Sequence, residues 1–249
     1  MKMDNSCHAC GSKNTYQDFF WQGKLIKDTF QCRDCRHIFR KYNGDVIKYH
    51  QEKYRSFGEE GFSMYPREER LRYIANAIEC SKPHINKNMT ALEIGSGDGL
   101  FATQIKEHVE SVTCSDVDSK MAKMCSDLGF RAMATDVLQL DKSETFDVVF
   151  GFDVLEHVLD IQAFKEKVNK IVNDCLILQV PVDRTMVPPN TYDRGTADPF
   201  DGHSHYFSVK SISSLFDDYF ETKQVFYGQR GKLARGPELL CIFKKREIR

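Results

Sequence analysis

The 249-residue sequence lacks a long hydrophobic run. Its longest apolar stretch, Cys175 to Val182, is interrupted by Gln179 and Pro181, whereas a membrane-spanning helix needs about 18 apolar residues. The amino-terminal MKMDNSCHAC also lacks the apolar segment of a secretion signal. These absences argue against a membrane protein, and we expect a cytoplasmic protein without a membrane partner.

The sequence also lacks an excess of charge of either sign. It contains 35 Lys and Arg residues and 36 Asp and Glu residues, which gives a formal net charge of −1. Proteins that coat nucleic acid usually carry a large positive charge, so the composition disfavours a nucleic-acid partner without excluding a local basic patch. Hydrophobic residues make up 41% of the chain, which is enough for a sizeable core and too many for wholesale disorder.

The nine cysteines are an odd number and predict metal ligands and reduced core thiols rather than a disulfide framework. Two pairs, Cys7-His-Ala-Cys10 and Cys32-Arg-Asp-Cys35, have the spacing that lets two thiolates grip one ion from a tight turn. The alternative is two unrelated reduced pairs; a redox motif would need a strand-to-helix context that neither pair has. We predict a closed, structural zinc site at Cys7, Cys10, Cys32 and Cys35.

From Pro66 onwards the hydrophobic pattern alternates between short apolar runs and helical periodicity. Apolar runs such as 146–150 (FDVVF) are typical of strands buried on both faces, and Ser208 is placed to cap a helix. Such alternation predicts an α/β fold with a doubly wound, mostly parallel, Rossmann-like seven-stranded sheet and helices on both faces. The predicted division is a zinc ribbon over 1–45, a linker and leading helix over 46–88, and a main domain over 89–249.

A glycine loop follows the first predicted strand of the main domain, in Glu93-Ile-Gly95-Ser-Gly97-Asp-Gly99. A P-loop would need Lys and Ser or Thr after the last glycine, and Leu100 and Phe101 stand there instead. A dinucleotide fingerprint would need its third glycine at position 100, which is leucine. The pattern is therefore E-x-G-x-G-x-G, a tight turn that lets a ligand approach the backbone.

This loop, together with four later segments, resembles the class I S-adenosylmethionine-dependent methyltransferases over roughly residues 89–245. The later segments are SVTCSDVD around Asp116, MATDVLQL around Asp136, TFDVVFGFDVLEHV, and ILQVP. The resemblance implies S-adenosylmethionine as cofactor. This ligand has no phosphate, which is consistent with a loop that lacks lysine and is surrounded by acids.

The resemblance also implies which residues bind that cofactor. Asp116 would accept hydrogen bonds from the ribose hydroxyls, and Asp136 would face the adenine amino group. Phe152, or the backbone beside it, would lie near the reacting methyl. The sequence is equally consistent with Asp98 and Asp118 as solvent-exposed loop acids and as cofactor ligands. The complete cofactor-binding set is Glu93, Gly95, Ser96, Gly97, Gly99, Asp116, Val117, Asp136, Val137 and Phe152.

Residues 181–207, which lead to the helix capped by Ser208, are expected to form the substrate loop, because long connections without secondary structure are usually functional or disordered. Its candidate substrate-binding residues are Arg184, Tyr192, Arg194 and Tyr206, and its ending, HSHYFS, resembles a segment of small-molecule methyltransferases. The candidate catalytic bases are His203, His205, His157 and Asp153. His205 is preferred, followed by His203 and His157, since imidazole exchanges protons near pH 7. For each histidine, a structural role is at least as consistent with the sequence as a catalytic role.

Three functions compete at this stage. The first is methyl transfer to oxygen or carbon of a small molecule, with a saccharide or natural-product intermediate favoured, because the resemblance extends to tailoring enzymes with such a ribbon. The second is an RNA methyltransferase whose ribbon binds RNA; the net charge and the lack of an Asn-Pro-Pro-Tyr-like motif argue against it. The third is a zinc-ribbon adaptor without activity, which the intact set of acids disfavours.

Overall fold

The computed structural model describes residues 5–21, 24–40, 67–141, 143–182, 203–229 and 237–247. Its amino-terminal part is a small antiparallel sheet of β1 (Thr15–Trp21), β2 (Lys24–Cys32) and β3 (Ile38–Arg40). A fourth strand, β9 (His205–Tyr206), joins this sheet from the far end of the predicted substrate loop. The prediction of a connection without secondary structure up to Ser208 is therefore wrong for its last residues.

The main domain is built on a seven-stranded sheet with the order β10-β11-β8-β7-β4-β5-β6. Strands β4 to β8 run parallel, while β11 pairs antiparallel with both β8 and β10. This confirms the predicted fold class. The strands are β4 (Thr90–Ile94), β5 (Ser111–Asp116), β6 (Arg131–Ala134), β7 (Phe146–Phe152), β8 (Val172–Pro181), β10 (Phe220–Gln229) and β11 (Pro237–Lys245).

Helices connect these strands, and the side chains of Asp118, Asp160 and Ser208 each accept a backbone N–H at the start of a helix. Ser208 begins the last helix with a reciprocal capping box to Ser211, as predicted for Ser208. Within the described ranges, no helix is both long and apolar enough to cross a membrane. The α-helices are α1 (Arg67–Ser81), α2 (Leu100–Ile105), α3 (Ser119–Asp127), α4 (Ile161–Ile171) and α5 (Val209–Phe216); 3₁₀ turns cover Lys82–His84, Val137–Gln139 and Leu155–His157.

Two hydrophobic cores cover the two faces of the large sheet. One contains residues of α1 and α2, such as Ile78 and Phe101. The other contains α4 and α5 and continues without a break into the ribbon, because Phe39 of β3 belongs to the same cluster as Phe164 and Phe207. The ribbon is therefore packed onto the main domain through a shared core.

The sheet order places β4 between β5 and β7. From β4 the chain continues to one side through β5 and β6, and it then crosses to β7 on the other side. Ligands of open parallel sheets bind beyond the carboxyl ends of the strands at such a switch point. The glycine loop follows β4 at this position.

Candidate functional site

The three glycines of the loop all have backbone angles that favour glycine. The φ angles of Gly95, Gly97 and Gly99 are 67°, 54° and 72°. A Cβ on Gly95 would also lie 2.5 Å from Cγ2 of Val154, a contact closer than real Cβ atoms make. Conformation and space therefore both require glycine at position 95.

The loop is held to the neighbouring strand β5 by backbone hydrogen bonds. The N–H groups of Gly95 and Ser96 both donate to the carbonyl oxygen of Ser115, at 2.8 and 3.1 Å. The N–H of Gly97 donates to Oδ2 of Asp116 at 2.9 Å, while Oδ1 of the same carboxylate accepts the N–H of Asp118 at 2.8 Å. Asp116 thus positions the loop, at the end of β5 where the resemblance places its ribose contact.

Glu93 lies beneath the loop and is 4% exposed. Its Oε2 atom has no hydrogen-bond partner among the described residues. Burial raises the pKa of this carboxyl well above its usual value, and the charges of Cys125, Asp98 and Asp116 add to the effect. A buried acceptor in acidic surroundings fits a ligand that brings a cationic donor, such as the amine of S-adenosylmethionine.

Asp98 forms a bidentate ion pair with Arg70 of α1, at 2.6 and 2.7 Å. Both side chains are largely buried, and Oδ1 of Asp98 also accepts the N–H of Leu100 at 3.2 Å. This acid therefore ties the leading helix to the glycine loop. No sequence pattern indicated Arg70, because an ion pair across 28 positions has no local signature.

The thiol of Cys125 contacts the glycine loop. Sγ of Cys125 in α3 lies 3.5 Å from Oγ of Ser96 and 3.4 Å from the carbonyl oxygen of Gly97. A hydrogen bond from Cys114 lowers the pKa of the Cys125 thiol to about 7. The sequence predicted Cys125 only as a core thiol.

The remaining predicted cofactor residues lie around the same strand ends. Val117 is 49% exposed, an unusual exposure for valine that offers an apolar surface. Asp136 is exposed, and its Oδ1 accepts the N–H of Leu138 at 2.9 Å. The side chain of Val137 is buried in the core. Phe152 packs against Phe101 with ring centroids 4.5 Å apart.

Two of the three predicted catalytic histidines lie together after β7. His157 and His203 have ring centroids 4.7 Å apart, and Nε2 of His157 lies 3.9 Å from Oε1 of Glu156. Glu156 is 1% exposed, although it follows a strand end where the sequence suggested only a turn. The sequence predicted the two histidines but not this buried carboxylate beside His157.

His205 lies elsewhere, inside the ribbon sheet. It is fully buried, and its Nδ1 lies 3.1 Å from Nε2 of His37 across the β3–β9 pairing. Burial lowers its pKa well below the usual value, and the nearby His37 and His8 lower it further. Because a base needs access to the acceptor, this placement favours a structural role for His205 over the catalytic role that the sequence ranked first.

Of the four predicted substrate-binding residues, the structure describes Tyr206. Tyr206 is buried in β9, and its ring centroid lies 5.4 Å from that of His203. Its burial leaves little surface for a substrate. Arg184, Tyr192 and Arg194 lie outside the described residues.

The four ribbon cysteines form one compact cluster whose sulfur atoms all lie within 4.8 Å of one another. Sγ of Cys7 and Cys35 are 3.5 Å apart, and those of Cys10 and Cys32 are 3.7 Å apart. A tetrahedral zinc with Zn–S bonds of about 2.3 Å needs sulfurs roughly 3.8 Å apart. The cluster therefore matches the dimensions of the predicted site.

The two cysteine turns have the same backbone form. The N–H of Gly11 donates to the carbonyl of Cys7, and the N–H of Arg36 donates to that of Cys32, both at 2.9 Å. Gly11 and Arg36 each follow the second cysteine of a pair and have φ angles of 71° and 64°. Arg36 adopts this rare angle for a non-glycine residue because the turn must present both thiols to one point.

Without a cation, Cys10 and Cys35 favour the protonated form, whereas the hydrogen bond from Cys35 lowers the pKa of Cys7 to about 6. Burial raises the pKa of Cys10 to about 11, and the hydrogen bond to Cys7 together with burial raises that of Cys35 much further. A dication would reverse this preference, because coordination deprotonates thiols.

Comparisons with known proteins agree with this arrangement. The sequence model of a family described as a methyltransferase domain matches residues 65–219. The chain therefore belongs to this family, and its fold is that of the class I S-adenosylmethionine-dependent methyltransferases.

Individual relatives are more distant. A ubiquinone biosynthesis O-methyltransferase of Rhizobium leguminosarum bv. trifolii is 30% identical over 109 residues, which cover 40% of this chain and 43% of that protein. The chain thus matches less than half the length of this curated relative.

Solved structures share the fold. The N-methyltransferase NodS of Bradyrhizobium japonicum, bound to S-adenosylhomocysteine, is 17% identical with a TM-score of 0.61, over 80% of this chain and 98% of that one. A 1,6-didemethyltoxoflavin-N1-methyltransferase of Burkholderia thailandensis is 15% identical with a TM-score of 0.63, over 93% of this chain and 100% of that one.

Proposed function

We propose that this protein transfers a methyl group from S-adenosylmethionine to an oxygen or carbon of a small molecule, with a saccharide or natural-product intermediate as the favoured acceptor class. The observation that carries the proposal is Glu93, whose buried Oε2 lacks a hydrogen-bond partner among the described residues beneath a lysine-free glycine loop. A buried, unsatisfied carboxylate is costly, so a site that contains one gains most from a cationic ligand.

Four parts of the site would hold the cofactor, which supplies a methyl group on a cationic sulfur. The Glu93 carboxylate would accept from the amine, and Asp116 at the end of β5 would accept from the ribose. The backbone of Gly95 to Gly99 allows close approach, and the Arg70–Asp98 ion pair keeps that loop in place. The methyl group is already activated, so orientation of donor and acceptor supplies much of the rate.

An acceptor hydroxyl or carbon acid would be activated at His157 and His203, the predicted catalytic histidines that lie together at the carboxyl end of β7. General acid–base assistance contributes roughly 10²- to 10⁴-fold to such reactions. His205 is assigned to the ribbon core instead, because it is fully buried against His37.

The small-molecule acceptor is supported by the relatives, whose names describe O-methylation in ubiquinone biosynthesis and N-methylation of 1,6-didemethyltoxoflavin. The ribbon is proposed as a structural zinc site, since four thiolates leave no coordination position for a substrate. RNA is the competing acceptor, and steeply salt-dependent binding would identify it. The phosphate contacts would be Arg33, Arg36, Arg40, Lys41 and Lys48, of which Lys41 and Lys48 lie outside the described residues.

The test is calorimetric titration of S-adenosylhomocysteine into zinc-loaded protein. Glu93→Gln keeps the shape of the side chain but removes its charge, and we expect at least tenfold weaker binding, or about 1.4 kcal/mol. The matched control is Glu79→Gln, an exposed glutamate of α1 paired with Lys82, which should bind as the wild type does.

Failure of the folded wild-type protein to bind the ligand would refute the proposal. After binding is established, acceptors would be screened with saccharides and hydroxylated natural products first and RNA last. Methylation of RNA alone would replace the small-molecule assignment.

A further inference from the structure

Glu156, His157 and His203 form a second group of side chains with the composition of a metal site. One ligand atom from each lies within 4.8 Å of the other two. Glu156 and His157 belong to the 3₁₀ turn after β7, and His203 approaches from the segment before β9. We call these three residues the Glu156 cluster.

A backbone hydrogen bond fixes the two segments against each other. The N–H of Ser204 donates to the carbonyl oxygen of Glu156 at 2.7 Å. The β3–β9 pairing, with Ile38 opposite Tyr206 and Phe39 opposite His205, holds the same segment on its other side. His203 is therefore brought to Glu156 and His157 by main-chain geometry, which is independent of any attraction between the three side chains.

The chemistry of these ligands suits a divalent first-row transition metal. One carboxylate oxygen and two imidazole nitrogens are preferred by Zn²⁺, Mn²⁺, Fe²⁺ and Co²⁺, whereas Mg²⁺ and Ca²⁺ favour sites made wholly of oxygen. Metal–ligand bonds of about 2.0–2.2 Å require ligand atoms roughly 3.0–3.5 Å apart. Oε1 of Glu156 and Nε2 of His157 are 3.9 Å apart, so small side-chain rotations would complete the site.

The cluster lies at the same edge of the sheet as the glycine loop. Val154, two residues before Glu156, is the side chain that fills the space beside Gly95. Between strand and cluster, Asp153 has a φ of 55° and donates its N–H to the carbonyl of Gln179 at the carboxyl end of β8. This strained residue directs the chain from β7 into the turn that carries Glu156 and His157.

We propose that the Glu156 cluster binds one divalent transition-metal ion, separate from the cysteine site, and that this ion holds the acceptor through oxygen. The second part rests on the proposed methyltransferase function. Three protein ligands leave coordination positions open, which suits a hydroxyl flanked by a second oxygen, as in a vicinal diol.

The ion would activate the acceptor by lowering the pKa of the bound hydroxyl. The hydroxyl loses its proton to water, the new bond forms between that oxygen and the methyl carbon, and the bond from methyl carbon to sulfur breaks. S-adenosylhomocysteine and the methyl ether are the products. In this mechanism His157 and His203 act as neutral ligands of the ion, and the ion takes over the activation of the hydroxyl that the proposed function assigns to them as bases.

The test uses the full chain with zinc already bound at the cysteines, and Co²⁺ as the probe. We expect the wild type to bind one further equivalent of Co²⁺ by calorimetry. Its absorption should lack a thiolate-to-cobalt charge-transfer band, because the Glu156 cluster contains no sulfur. Glu156→Gln and His203→Ala should each weaken this binding by at least about tenfold, since even residues that only support metal ligands contribute 10- to 100-fold.

The matched control is His84→Ala, which removes a histidine bonded to Gln224 far from the cluster in sequence and should leave the second equivalent intact. A wild-type chain that binds no Co²⁺ beyond the cysteine site overturns the proposal. Equal Co²⁺ binding by the wild type, Glu156→Gln and His203→Ala overturns it as well, because the ion would then lie elsewhere.

Binding of S-adenosylhomocysteine, measured on the same samples, separates this proposal from the function it rests on. Normal cofactor binding without a second Co²⁺ refutes the metal site alone. A second Co²⁺ without cofactor binding supports the metal site and refutes the methyltransferase proposal.

Discussion

Gly95 shows how a single position in this fold is constrained twice, by its φ of 67° and by Val154, whose Cγ2 would lie 2.5 Å from any Cβ at this position. Glu93, two residues earlier, is constrained differently, because its buried carboxyl lies among other acids. Both constraints concern the cofactor end of β4, and each makes a prediction at the scale of one residue.

We expect Gly95→Ala to weaken S-adenosylhomocysteine binding by about tenfold or more. A non-glycine residue in the left-handed region costs of order 1–3 kcal/mol, and the Val154 contact adds to it. The control is Gly129→Ala, which has a φ of 89° but no atom within 4 Å of the new Cβ. Similar losses of binding affinity in both variants, measured by calorimetry, would show that backbone strain alone, and not the Val154 contact, weakens binding.

Glu93 should make the stability of the ligand-free protein depend on pH. Its pKa is higher in the folded than in the unfolded chain, so the folded state binds more protons, and stability falls as pH rises above the ordinary glutamate pKa. Urea unfolding across this pH range measures the effect. Glu93→Gln should flatten the slope, and a slope that is unchanged in this variant would assign the effect to other groups.

At the scale of elements, the ribbon contains short strands and two turns whose cysteines meet at one point. A segment this small has little core of its own, so a bound metal would supply much of its folding energy. The same sheet includes β9, whose two residues come from the main domain. Loss of the metal should therefore destabilise β9 as well as β1 to β3.

We expect Cys35→Ser to abolish zinc binding and to lower hydrogen-exchange protection in β2, β3 and β9. The cause is the loss of one of the four ligands that hold the two turns together. The matched control is Cys80→Ser, a half-buried thiol of α1 outside the cluster. Retention of zinc and of protection in Cys35→Ser would contradict the proposed site.

At the scale of the whole molecule, the ribbon and the main domain share a core. Phe39 is fully buried, packs on Phe30 with ring centroids 5.5 Å apart, and belongs to the cluster that includes Phe164 and Phe207. The hydroxyl of Ser208 also donates to the carbonyl of Cys35 at 2.6 Å. These contacts predict that ribbon and sheet unfold together.

We expect urea to release zinc and to abolish the circular dichroism of the sheet in one transition. Phe39→Ala should shift both signals together by about 3–5 kcal/mol, the usual cost of removing a buried phenylalanine. Tyr227→Ala, at a side chain that is 59% exposed, should shift neither by a comparable amount. Zinc release at a lower urea concentration than unfolding of the sheet would show that the ribbon is an independent unit.

The sequence by itself determined the elements whose signals are local. Hydrophobic periodicity predicted the parallel strands and their helices, Ser208 predicted a capped helix, and the CxxC spacing predicted the cysteine cluster. The presence of glycine at 95, 97 and 99 predicted positive φ angles at these positions, since few other residues adopt them. Each of these signals arises from neighbours within a few positions along the chain.

The tertiary structure decided what depends on residues far apart in sequence. It paired Arg70 with Asp98, brought His203 to Glu156, and moved His205 from the predicted active site into the ribbon sheet. The residues of β9 were predicted as loop because a two-residue strand has no periodicity to detect; its partner strand β3 defines it. Burial and pairing across the chain set the environment of a histidine or a carboxylate, and no local pattern encodes them.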